Sequence, residues 1–155
     1  MQSKRLTEWL LLKIKYVEKM LPEVRLDWKS PSAAAFLYPI QSTADPEASA
    51  LLKLQICPRA PEAMPSLIVL EPVVLPKRPS GTINSWGGST TFHTSPLTEC
   101  GRVTICHTPL NQWSLKKTYL QVLQKGRIWW EAYQLHLHDG KSIDDHFKNN
   151  GISAK

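Results

Sequence analysis

The sequence predicts an α/β domain of the α+β kind: an N-terminal helix, an antiparallel β-meander, a long excursion that delivers a cysteine, and C-terminal helices. Three observations carry that expectation. Apolar residues recur at helical spacing near both ends of the chain, short runs between them alternate apolar with polar residues, and short links join those runs. A chain of 155 residues is the size of one ordinary domain, so a single domain is expected over 1–148 with a frayed tail over 149–155.

The first element is expected over Leu6 to Leu21. Leu6, Trp9, Leu10, Ile14, Val17 and Leu21 fall on one helical face, Ser3 or Thr7 is placed to cap it, and Pro22 ends it. Its ordinary role is to cover a sheet; a detachable helix for a membrane or partner is the other reading, and the polar face is not strongly basic. Val24, Leu26 and Trp28 then alternate with polar neighbours, the period of a strand with one buried face. Lys29 to Ser32 turns the chain into a second apolar run, Ala33 to Ile40, and Gln41 to Ala48 reads as a loop. Leu52, Leu54 and Ile56 mark a third strand stopped by Pro58, and Leu67 to Leu70 a fourth, extended toward Val74.

Prolines at 72, 76 and 79 open an excursion over Lys77 to Thr91, with Trp86 as its anchor. A loop this long in a small domain is usually functional or mobile, and because it leads to a cysteine it is read as a flap beside a site. Val103, Thr104 and Ile105 form a short strand that Pro109 and Asn111 break, before Trp113 and Ser114 lead into a helix over Leu115 to Leu137 capped by Ser114. Leu115, Tyr119, Val122, Leu123, Trp129, Trp130, Tyr133 and Leu137 give that helix a broad apolar face. Its aromatic group either packs on the sheet or stacks on a ligand, and Gly126 is expected to bend or split it. Asp139-Gly140 ends it, and a short helix holding Phe147 follows.

Hydrophobic residues make up 42% and charged residues 21%, the composition of a folded chain rather than a disordered one. The net charge of +6 permits an acidic partner, but Lys and Arg are dispersed and give no support to nucleic-acid binding. Cys57, Cys100 and Cys106 are odd in number and irregularly spaced, and the opening residues do not look like a secretion leader, so a reducing cytoplasmic setting is expected. No segment approaches the ~20 apolar residues of a membrane span.

The chemistry is concentrated between Thr91 and Thr118. A free cysteine is either a small core residue or a nucleophile, and Cys106 ends a strand where the chain changes direction, which places it at a rim. Cys100 is the reserve nucleophile. Cys100, Cys106 and His107 could supply metal ligands, yet no Cys-x-x-Cys pair exists and His136 and His138 are two apart, so neither a metal nor a cofactor is expected. A cysteine hydrolase would use His93 as base and Asn111 to orient it, although such a cysteine commonly opens a helix, and Cys106 precedes a loop. Thioester chemistry needs an exposed thiol, an oxyanion donor and a surface for a C-terminal tail. Asn111, Thr94 or a backbone amide would be the donor. His107 could steady the thiolate or take a proton, except that neighbours on a strand face opposite ways.

The segment GRVTICHTPLNQWSLKKTYLQVL, over 101–123, resembles the active-site signature of ubiquitin-conjugating enzymes: a short strand, Ile-Cys, a loop, Trp-Ser and a helix with Thr and leucines. Phe92-His93-Thr94 stands where that family carries its histidine triplet. The usual His-Pro-Asn is absent, since Thr94 and Ser95 follow His93, and the gap to Cys106 is longer than in eukaryotic members. Both departures resemble the prokaryotic branch found beside cyclic-oligonucleotide synthases in CBASS anti-phage operons. The resemblance covers roughly Phe36 to Phe147. It implies a ubiquitin-conjugating-like fold and a carrier that holds a protein C-terminus as a thioester on Cys106, with His93 as loop organiser or base. It also implies a partner, the C-terminus of a cGAS-like nucleotidyltransferase. The competing classes are a non-catalytic binding module of the same fold and a basic module for RNA or DNA.

Overall fold

The computed structural model describes residues 2–30, 33–114 and 116–149, without the side chains of residues 2–7 and of Leu110. Several sequence expectations therefore lie outside the described residues: the side chain of Leu6, the cap candidates Ser3 and Thr7, the Pro31–Ser32 part of the first turn, Leu115, and the tail after Asn149.

Helix α1 spans Gln2–Met20 and buries Leu10, Ile14 and Val17, which lie three or four residues apart and so on one face. It ends before Pro22, with the Leu21 N–H still closing on Val17 O at 2.8 Å. The strands are β1 (Arg25–Ser30), β2 (Ala33–Gln41), β3 (Ser49–Ile56), β4 (Ser66–Glu71), β5 (Thr94–Ser95) and β6 (Thr104–Ile105). They form one antiparallel sheet in the order β1-β2-β3-β4-β6-β5. Its register sets Phe36 beside Leu54, Leu54 beside Leu67, and Leu67 beside Ile105, one buried row running across four strands. Pro39 is tolerated in β2 because pairing with β1 extends only to Leu37, so the missing N–H lies where β2 has one neighbour.

The edge strand departs from the expected pattern. Val24 is buried but precedes β1, Leu26 is half-buried and Trp28 is 43% exposed. The covering helix α2 (Tyr119–Asp139) lies over β3 and β4, two strands away. The fourth strand stops at Glu71: Pro72 breaks it, and Val73 and Val74 are exposed instead of extending it.

The excursion over 77–91 is held down along its length. Leu75 and Ile83 are its buried anchors, joined by a 2.8 Å bond from Ile83 N–H to Leu75 O, whereas Trp86 is half-exposed and leans edge-on against Phe92. The Asn84 amide accepts from Leu75 N–H and donates to Val73 O and Gly101 O.

Helix α2 begins at Tyr119 rather than Leu115, because Thr118 forms a full capping box with Gln121; the hydroxyl of Ser114, the expected cap, accepts from Lys116 N–H, ahead of the helix. Gly126 does not split it, since α2 runs unbroken through that position. A Cβ there would stand 2.7 Å from Leu52 and 2.9 Å from Leu67, so glycine allows α2 to lie close on the sheet. The aromatic group packs inward, with Trp129, Trp130 and Tyr133 all buried. Gly140, at φ 76°, closes α2 in the left-handed conformation, and α3 (Ile143–Asn149) folds back with Ile143 and Phe147 buried.

Candidate active site

Cys106 follows directly on β6. Ile105 points into the core beside Leu67, so alternation turns Thr104 and Cys106 to the other face of the sheet. There Cys106 is half-exposed and lines a groove of about 460 Å³ together with Cys57, Ser66, Ile68, Ser95 and Thr104. Its amide donates to His93 O at 2.9 Å, which continues the β5–β6 pairing by one bond.

His93 adopts φ 52°, a left-handed conformation uncommon outside glycine. That backbone turn sends its ring to α3, where Nε2–H donates to Asp144 Oδ1 at 2.7 Å and the ring lies edge-on to Phe147. The Asp144 carboxylate also receives Lys148 at 2.9 Å, and the Asp144 amide donates to Thr91 O. Lys148 first and His93 second hold its carboxyl below the usual range. Cys106 thus meets His93 through the backbone, while the imidazole ties the excursion to α3.

His107 also lines the groove and is buried. Its Nε2–H donates to Pro65 O at 2.8 Å, so Nδ1 is the acceptor and takes the Thr108 hydroxyl at 3.0 Å. Burial pushes its pKa down, opposed by the Pro65 bond and reinforced by Lys125 and Lys117. Both assigned histidines therefore spend ring nitrogens away from the sulfur. Thr94 is buried and donates from its hydroxyl to Gly87 O. Asn111 is exposed in the 3-10 turn Leu110–Gln112, and the loop is fastened instead by Trp113, whose Nε1–H donates to Glu62 O at 3.0 Å. Cys100 is exposed in the tight turn from Thr98 to Gly101 and stands outside the groove.

Two residues near the thiol carried no sequence signal. Cys57 follows the end of β3 and lines the same groove, brought there by strand pairing across β4. Lys125 is half-buried on α2. Burial lowers its pKa, a Cys106 thiolate close by would raise it, and Lys117 lowers it further. Among the described residues no three His, Cys, Asp or Glu side chains gather as a metal site. No described helix is long and apolar enough to cross a membrane.

The arrangement presents a reachable thiol at the end of a strand, on a groove floored by sheet, between loops fastened by side-chain hydrogen bonds. It is suited to holding an acyl group, and the groove is suited to holding the extended chain that leads to one. No family model, curated protein or solved structure matches the chain.

Proposed function

We propose that this chain is a carrier of the ubiquitin-conjugating kind, which accepts a protein C-terminus as a thioester on Cys106 and passes it on. The half-exposure of Cys106 on a groove beside β6 is the observation that supports this best. In the proposed step the thiolate attacks the carbonyl carbon of an activated C-terminal acyl group, a C–S bond forms, and the activating group leaves with its electron pair. A nucleophile on the acceptor later displaces the thiolate. The resemblance at 101–123 supplies the partner: the C-terminus of a cGAS-like nucleotidyltransferase in bacterial anti-phage defence, in the cytoplasm.

The test is co-expression with such a nucleotidyltransferase, followed by a non-reducing gel. The expected product is a covalent adduct that disappears with reductant and in Cys106→Ala, and persists in Cys57→Ala and Cys100→Ala. An adduct indifferent to Cys106→Ala overturns the reading. A non-catalytic binding module is the second reading, favoured by the exposed position of Asn111 and by the engagement of the His93 ring with Asp144. It predicts co-purification without any adduct, equally in the wild type and in Cys106→Ala.

A further inference from the structure

On the α2 side of the segment that follows Cys106 lies a second cavity of about 190 Å³, lined by Lys117, Gln121, Val122 and Lys125 and by His107 and Thr108, which it shares with the groove. Gln121 and Lys125 are one turn apart on α2 and share a face, and Lys117 immediately precedes the Thr118 cap. Both lysines are partly buried, and burial holds the Lys125 ammonium below its ordinary pKa.

The hydrogen-bonding inventory of the wall is one-sided. Gln121 uses its amide oxygen on the Thr118 N–H, so its NH₂ is the group left to offer. His107 has committed Nε2–H to Pro65 O and Nδ1 to the Thr108 hydroxyl. Each lysine ammonium carries three N–H donors, so an ammonium bonded once elsewhere still has donors for a ligand. Among the described residues no Asp or Glu lines the cavity. A partly desolvated wall of two cations and an amide donor is satisfied by a ligand that only accepts and carries negative charge.

We propose that the cavity between His107 and the Lys117, Gln121 and Lys125 side chains is an oxyanion-binding site, taking a phosphoryl group or a carboxylate. It holds the loop between β6 and α2 against the helix when filled. This inference stands independently of any acyl transfer at Cys106.

The test follows thermal unfolding of the full chain at pH 7.5 against sodium phosphate, sodium acetate and sodium chloride at matched ionic strength. The expected result is a saturable rise in Tm with an oxyanion and none with chloride. The midpoint concentration should move at least about tenfold higher in Lys125→Gln and in Lys117→Gln, and stay unchanged in Lys29→Gln on the exposed edge strand. Saturation by phosphate but not acetate assigns a phosphoryl ligand; saturation by acetate assigns a carboxylate. Should Lys125→Gln fail to fold, Lys117→Gln and the broadening of the inorganic phosphate ³¹P resonance by wild-type protein decide the matter. A response shared equally by chloride, or one undiminished in the lysine variants, overturns the proposal.

Discussion

At the end of β6 two adjacent residues line the groove, Cys106 half-exposed and His107 buried with its ring bonded to Pro65 O. What His107 bonds was not legible in the sequence, because Pro65 is 42 residues away. Its pKa is depressed below the ordinary 6.5, so the unfolded chain takes up a proton before the folded one does. Stability from this group is complete above 6.5 and is lost as pH falls through that value toward the folded pKa. The loss is at most about 1.4 kcal/mol per pH unit for one proton. Melting curves between pH 7.5 and 5 are expected to show that slope in the wild type and a shallower one in His107→Gln. The histidine upstream behaves differently: the position of His93 in the chain was readable, and its acceptor, Asp144, 51 residues on, was not. Asp144→Asn is expected to weaken this tether by about 1 kcal/mol, since the carboxylate is partly exposed. Hydrogen exchange at the Cys106 amide, which is bonded to His93 O, should quicken; an unchanged rate would show that the tether is not felt at the thiol.

Helix α2 carries most of the long-range fastening. Its apolar face was evident from spacing, yet the tips of its aromatic residues reach three separate loops. Trp129 Nε1–H donates to Phe92 O, Trp130 Nε1–H to Ala48 O and Tyr133 O–H to Pro76 O, at 2.8, 3.0 and 2.6 Å. His136, buried one turn after Tyr133, accepts from Arg78 N–H and donates to Lys141 O. Tyr133→Phe keeps the packing and removes one hydrogen bond, so a loss of about 1 kcal/mol is expected in denaturant melts, with faster amide exchange around Pro76 to Arg78. Gly126→Ala sets two effects against each other. Alanine gains about 1 kcal/mol in helix propensity, but its Cβ would press on Leu52 and Leu67, both fully buried. Overpacking between two fixed side chains costs about 1–3 kcal/mol, so net destabilisation is expected. A more stable variant would show that α2 can lift from the sheet. The capping box also shows a limit of local reading: Ser114 and Thr118 are both plausible caps in sequence, and only Thr118 has Gln121 at the third position of the helix that forms.

Across the molecule, the sheet order decides which cysteines share a surface. Extending the β3–β4 and β4–β6 registers sets Cys106 opposite Ser66 and Ser66 opposite Gln55, so Cys57 lies two strands across and two residues along, about 12 Å between Cα atoms. That exceeds the ~7 Å limit for a direct disulfide. Mild oxidation is therefore expected to leave these two thiols unpaired, while a short bis-maleimide joins them across the groove and leaves Cys100 singly modified. A Cys57–Cys106 disulfide mapped in the folded protein would contradict the register. The sequence by itself determined the antiparallel meander, the helices at either end and the short strand that ends at Ile105, just before Cys106. All three follow from spacing between neighbours, and local periodicity is a property of the backbone. Only the tertiary structure decided that Cys57 joins the groove, that His93 bonds Asp144, that Gly126 allows close approach to the sheet, and that Lys117 and Lys125 line one cavity. Each of these is a meeting of residues remote in the chain or on unlike elements, set by strand order and helix placement, which no local window of sequence contains.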